Sequence, residues 1–399
     1  MMVAMGDQPG GGVRGVRFDY LDLLRAALMV FGIPFHAALP FTGQDWAVTS
    51  SSESPFLTGL AAFIHEWRLP TFFFIAGFFA SLILDRRRPA PWLRGRAERL
   101  GIPFVSALVL IIPLQVLLIS RLGAPDWPTA WADFGSRMTD LSDIPIGHIW
   151  FLLALLIYCV LLVALLTVWP GIRSASRRGA DWLAAGSWRW LVVAFALAIP
   201  TGLAASAWRM WDVGRLFGGL IDEQFVLYLP AFALGVVMGW NTPAMARILA
   251  WPVIAMIGVG ILTTGFLVAG AVAHVDGAPV AVAERIIGVA GGLVLCVLLL
   301  KLASLIPGAS ARPVRWLVDA SLVIYLVHHP LVILVSGLLI EWDVTPPILT
   351  WVITCSVVLV LCGVIYEVIN RFRPMRFLFT GRSSAGASLL SAGTKETAG

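Results

Sequence analysis

Arg25 and His36 stand in one apolar run with ten residues between them. Eleven helical steps of about 100° bring a helix back to nearly the same face after a rise of roughly 16 Å. A helix over this run therefore carries a guanidinium in one half and an imidazole near its other end, both turned toward one interior. Asp22, three residues before Arg25, is spaced to pair with it. An ionisable side chain inside a long apolar run is costly, so it faces a partner or a wet cavity. Imidazole is the side chain best suited to proton transfer near neutral pH, and its placement here suits a buried acid/base site.

Four more histidines, His65, His148, His328 and His329, fall in or at the ends of other apolar runs, and His274 lies in a connection. Taken singly, each is explained as well by a hydrogen-bonded structural histidine. His36 differs because it shares a face with Arg25. His65 and Glu66 do not open a zinc-peptidase motif, since Leu69 stands where H-E-x-x-H needs its second histidine. G-x-S-x-G, P-loop and dinucleotide fingerprints are absent. Cys159, Cys296, Cys355 and Cys362 all lie in apolar runs, where packing accounts for them better than disulfide or metal chemistry, and no metal site is expected. Arg96 and Arg99 are three apart at the start of a further run. On a helix start both guanidiniums can turn one way and grip phosphate, the handle of coenzyme A.

Positioning these groups falls to a scaffold for which water is not the main solvent. The chain has 399 residues, is 59% hydrophobic and only 13% charged, and has a mean hydropathy of +0.88, against roughly 25% charged in a soluble domain. The apolar runs are continuous rather than alternating, which disfavours a β-barrel and favours helices long enough to cross hydrocarbon. The expected class is all-α and polytopic, with about ten transmembrane helices over 20–40, 56–84, 101–120, 148–169, 190–208, 224–240, 251–273, 284–306, 317–340 and 348–369. Pro34, Pro70 and Pro330 are candidate breaks, the second helix being expected to break near Pro70. Residues 1–17 read as a polar tail before a retained anchor, 18–381 as the membrane domain, and 382–399, rich in Ser, Ala and Gly, as a disordered tail.

With both termini in the cytoplasm, 21 of the 28 basic residues fall on the cytoplasmic side, including the run from Arg86 to Arg99, and six on the outer side. The positive-inside rule fixes that orientation. Trp46, Trp127, Trp131, Trp208, Trp211 and Trp342 then mark the outer interface, and Trp92, Trp169, Trp188, Trp240, Trp251 and Trp316 the inner one. A net charge of +5 laid out this way is topology, and no nucleic-acid partner is expected.

The whole pattern resembles the membrane acyltransferases of family three, whose first helix carries a basic residue, ten residues, then histidine. The stretches that carry the resemblance are Arg25 with Phe31-Gly32-Ile33-Pro34-Phe35-His36, Phe63-Ile64-His65-Glu66-Trp67-Arg68, Phe72 to Gly77, Glu98-Arg99-Leu100-Gly101-Ile102-Pro103, His148-Ile149-Trp150-Phe151-Leu152-Leu153, Tyr228-Leu229-Pro230, Ala320 to Pro330 and Tyr366-Glu367 with Phe377-Leu378-Phe379. They run in order from residue 18 to about 381. The run ending His328-His329-Pro330 favours the branch that succinylates osmoregulated periplasmic glucans. Gly147, Leu69 and the loop 121–147 depart from the pattern, which leaves the acceptor open.

The resemblance implies a bacterial inner-membrane enzyme with succinyl-CoA as donor on the cytoplasmic side and a glucan hydroxyl as acceptor outside. It implies that His36 takes the hydroxyl's proton, with the other histidines or Tyr325 steadying the oxyanion and an acyl-histidine intermediate left open. His328 and Tyr325 thus join His36 as catalytic candidates, with Asp22, Arg25, His65, Arg68, His148, Trp150 and His329 on the substrate and Arg96 and Arg99 on the coenzyme. Arg25 and Arg68 are the nearest cations for the succinyl carboxylate. An acetyltransferase of another surface polysaccharide, and a transporter or flippase with ionisable groups in its core, are the rival readings.

Overall fold

Backbone polar groups that enter hydrocarbon find no water there, so a spanning segment must bond them within itself. The apolar runs meet that demand as helices, and among the described residues there is no strand. The computed structural model describes residues 18–306, 311–344 and 346–389. The N-terminal tail with Arg14 and Arg17, and the end of the C-terminal tail with Lys395, lie outside the described residues.

In chain order the helices are α1 (Asp19–Val30), α2 (Gly32–Ala38), α3 (Pro55–Leu84), α4 (Pro89–Arg96), α5 (Ile102–Leu110), α6 (Ile112–Gly123), α7 (Trp127–Thr139), α8 (Trp150–Val168) and α9 (Ile172–Ala184). They continue as α10 (Ser187–Met210), α11 (Gln224–Leu227), α12 (Leu229–Gly239), α13 (Thr242–Leu249), α14 (Ile254–Val272), α15 (Ala278–Ser304), α16 (Arg312–Glu341), α17 (Pro347–Arg371) and α18 (Arg373–Thr380). Among the described residues nine helical segments are long and apolar enough to span a membrane, and the pair Gln224–Gly239 and Thr242–Leu249, bent by 109°, makes a tenth if counted as one. The protein is a polytopic membrane protein.

Of the three candidate breaks only the one near Pro34 forms. α3 runs unbroken through Pro70 and α16 unbroken through Pro330, while the first span breaks at Phe31, between α1 and α2. A proline inside a helix frees the carbonyl four residues back. At Pro70 that carbonyl belongs to Glu66, and α15 brings Gly292 against it so closely that an added Cβ would lie 2.7 Å from it. Neighbouring packing thus replaces the break.

α3 is the central post. α12 packs along it with backbone nearly touching backbone: a Cβ on Gly235 would lie 2.0 Å from the Phe74 carbonyl oxygen and one on Gly239 2.3 Å from that of Phe78. Small residues four apart permit such an approach between membrane helices. At the end of the bundle that holds Asp19 and the C-terminal residues, α9 ties the connections together through Arg173 to the Leu84 carbonyl (3.0 Å), Arg177 to Asp85 (3.1 Å) and Asp181 to Arg247 (2.5 Å). From sequence, α7 falls in the loop 121–147 and α9 in the connection between the expected spans 148–169 and 190–208. Both are short amphipathic helices, and α7 leaves Trp127 and Trp131 exposed at the opposite end.

Candidate active site

Two cavities enter the bundle from its two ends. The terminal-end cavity, about 440 Å³, is lined by Asp22, Arg25 and Met29 of α1, Phe72 to Ile83 of α3, Arg96 and Arg99, and residues of α8, α16, α17 and α18. The far-end cavity, about 520 Å³, is lined by Phe35, His65, Glu66, Tyr228, Glu223 and Arg285 among others. α3 serves both, with Thr58 to Pro70 on one and Phe72 to Ile83 on the other. Arg68 lies in the stretch of α3 between Glu66 and Phe72 but lines neither cavity.

Four histidines gather near Arg68, outside the lining of either cavity. The His36 ring lies 4.6 Å from His329 and 5.3 Å from His328, centroid to centroid, and His148 lies 4.7 Å from His329 and 5.5 Å from His328. They come from α2, the turn before α8, and α16, elements far apart in sequence. Their nitrogens are not left to chance. Pro330 frees the carbonyl of Leu326, and His148 Nε2 donates to that oxygen at 3.1 Å. His148 therefore keeps its lone pair on Nδ1, which is buried without a partner. Tyr325 closes the loop by donating its hydroxyl to the His148 carbonyl. His328 Nδ1 donates to the carbonyls of Tyr325 (2.7 Å) and Ile324 (3.1 Å), so its lone pair is on Nε2, buried and unpartnered. His329 Nδ1 donates to Gln115 Oε1 at 2.9 Å. A backbone or amide acceptor on one ring nitrogen sets the tautomer of the other.

Arg68, 9% exposed, lays its guanidinium over the Phe35 ring at 4.8 Å and has no carboxylate partner among the described residues. A Cβ on Gly32 would fall 2.8 Å from Arg68 Nη1 and 2.9 Å from His328 Nε2, so a side chain there would have to displace the guanidinium and the imidazole that close over the α1–α2 break. A bare imidazole nitrogen can take a proton, and a fixed cation beside it can hold the negative charge that results.

The sequence-predicted residues divide over this geometry. His36, His148, His328, His329, Tyr325 and Arg68 come together. Arg25 pairs with Asp22 at 3.1 Å as its spacing predicts, but it opens on the terminal-end cavity with Arg96 and Arg99, apart from His36. Across the Phe31 break Arg25 lines the terminal-end cavity, while His36 sits among the histidines and lines neither cavity. His65 stacks on Phe35 with centroids 5.5 Å apart and faces the far-end cavity. Trp150 belongs to an aromatic wall, stacked on Tyr228 at 5.9 Å. His274 is remote, within 3.4 Å of Glu53 at the far end. Tyr325 spends its one proton on the His148 carbonyl, so it positions a histidine and is not free to steady an oxyanion. Gln115, Trp46 (6.2 Å from His36) and Gly32 escaped the sequence reading. Gln115 had a visible signal, a lone amide within an apolar run.

Residues 18–367 match the family described as an acyltransferase domain. The chain belongs to that family. As a membrane acyltransferase it is 28% identical to glucans biosynthesis protein C of Salmonella schwarzengrund, Salmonella gallinarum and Salmonella typhi, in each case over 91% of this chain and 94% of the relative. No solved structure matches the chain significantly. The acyltransferase needs an acyl donor and an acceptor, and the paired cavities offer room for one of each. Among its described residues no group of His, Cys, Asp and Glu is arranged to hold a metal ion.

Proposed function

We propose that this acyltransferase is an O-succinyltransferase of the bacterial inner membrane, with both termini in the cytoplasm, that moves a succinyl group from succinyl-CoA to a glucose hydroxyl of a periplasmic glucan. The observation that carries the reading is Arg68. A buried guanidinium with no acidic partner among the described residues, beside the histidine cluster, is a site for an anion, and a succinyl group differs from an acetyl group by its terminal carboxylate. The names of the Salmonella relatives support a glucan as acceptor.

Coenzyme A would enter the terminal-end cavity among Arg25, Arg96 and Arg99, with the thioester reaching toward the histidines. The acceptor would come from the far end past His65. His36 takes the proton as the hydroxyl oxygen bonds to the thioester carbon; the carbon–sulfur bond then breaks, and the coenzyme A thiolate recovers that proton. The products are a succinate ester and free coenzyme A. His328 Nε2, bare and beside Arg68, is a second proton acceptor within the same cluster. Both ends of the reaction stay charge-balanced without bulk water.

The test is transfer by the purified protein in nanodiscs, with succinyl-CoA and acetyl-CoA offered separately and the glucan analysed by mass. Succinylated glucan is expected from the wild type, and Arg68→Leu should shift donor preference toward acetyl-CoA. Equal loss with both donors removes Arg68 from carboxylate recognition, and acetyl transfer alone by the wild type replaces the succinyl reading with an acetyltransferase one.

A further inference from the structure

The terminal-end cavity is not closed by the residues of the family match. Arg376, Thr380, Arg382, Ser384 and Gly386 line it too, and all five stand beyond residue 367, where the match ends. The sequence reading makes 382–399 a disordered tail, of which 382–389 is described. The structure differs, because this segment is strapped across α16 and α17 by hydrogen bonds along its length. Gly386 N–H donates to Asn370 Oδ1 at 2.9 Å, Ala387 N–H to Asp319 at 2.9 Å, and the Ser388 hydroxyl and Leu389 N–H to Glu367 at 2.6 and 2.8 Å. Tyr366 donates its hydroxyl to the Ala387 carbonyl at 2.8 Å.

The strap also touches the arginine turn. Gly381 has φ +62°, and a Cβ there would lie 2.5 Å from the Glu98 carbonyl oxygen and 2.7 Å from Arg99 Cα. Glycine alone lets the chain double back at that distance. Arg376 Nη2 holds the returning strand through the Ser383 carbonyl at 2.9 Å. Arg382 then faces the cavity, loosely paired with Asp319 at 3.7 Å.

Charge in the cavity is out of balance. Five guanidiniums, Arg25, Arg96, Arg99, Arg376 and Arg382, line it against the carboxylates of Asp22 and Asp319. Arg96 Nε and Arg99 Nη1 are buried with no hydrogen-bond partner. Such an excess fits a ligand that carries several negative charges close together, as a nucleotide with a pyrophosphate and a further phosphate does.

We infer that the strap Gly381–Leu389 is a wall of the donor site, with Arg382 meeting a phosphate of the acyl thioester beside Arg96 and Arg99, and Arg376 positioning the strap. This rests on the coenzyme A donor reading above. The experiment is calorimetric binding of coenzyme A, and of an acylated pantetheine that lacks phosphates, to the full-length protein in nanodiscs. Arg382→Gln should weaken coenzyme A about tenfold while leaving the pantetheine thioester unchanged, and Arg382→Lys should recover most of the loss. Gly386→Val, whose side chain would collide with the Tyr366 hydroxyl 2.6 Å from the Cβ position, should weaken coenzyme A in the same selective way by dislodging the strap. Unchanged coenzyme A affinity in Arg382→Gln, an equal loss for both ligands, or tighter binding in Gly386→Val, the mark of a plug, would overturn the inference. A wild-type protein that binds no coenzyme A would instead overturn the donor reading.

Discussion

The histidine cluster and the arginine cavity handle buried polarity in opposite ways. In the cluster the protein answers its own groups: the Pro330-freed carbonyl takes His148 Nε2–H, two carbonyls of α16 take His328 Nδ1–H, and Gln115 takes His329 Nδ1–H. These three rings keep a defined tautomer, while His36 Nδ1 is buried without a partner among the described residues. In the arginine cavity the guanidiniums outnumber the carboxylates, and atoms of Arg96 and Arg99 are left unanswered. One region is built for charge that arises and vanishes during a reaction; the other waits for charge that a ligand brings. Preorganised groups favour the first task because nothing must reorient at the transition state, whereas the second gains its energy from unmet hydrogen bonds.

The largest effect expected is at His36. His36→Ala should insert and fold normally yet transfer acyl groups at least about a hundredfold more slowly, the usual scale for losing a general base. Near-normal glucan esterification by that variant would move the chemistry to another histidine and dissolve the contrast between the two regions.

Next is the cavity. Arg96→Gln with Arg99→Gln should cost about 1.5 to 3 kcal/mol of donor binding per lost charged hydrogen bond, with glucan affinity and membrane orientation little changed. Arg86, Arg87, Arg88 and Arg94 still hold the connection on its side. Raising salt should weaken donor binding in the wild type more than in the double variant, and an identical salt response in both would make the pair a topological anchor.

The smallest and sharpest effect is at Pro330. Pro330→Ala restores an N–H to bond the Leu326 carbonyl, so His148 loses an acceptor; a several-fold fall in turnover is expected with donor affinity intact and thermal stability equal or higher. Lower stability together with lower donor affinity would mean that the proline serves packing alone.

Much of this was legible in the residues. Continuous apolar runs must become helices in hydrocarbon. The Asp22–Arg25 pair follows from spacing on one helix turn. Legibility stopped where a local rule met a neighbour. Pro70 and Pro330 look like breaks, but α15 packs on the first and His148 bonds to the carbonyl freed by the second, so both helices continue. The strap looks disordered because its Ser, Ala and Gly carry little apolar surface; it is held by side chains of α16 and α17 that bond its backbone, which composition does not encode.

The sequence by itself determined a polytopic helical membrane protein with a basic residue and a histidine on its first span, because helix formation and membrane burial depend on neighbours within a single run. Tertiary structure alone decided that His36 meets His328 and His329 while Arg25 faces the terminal-end cavity, that Arg68 has no counter-ion among the described residues, and that Arg382 returns to line the arginine cavity. Those facts depend on contacts between helices whose spacing in the chain says nothing about which faces touch, and packing between close-fitting surfaces is what selects the faces.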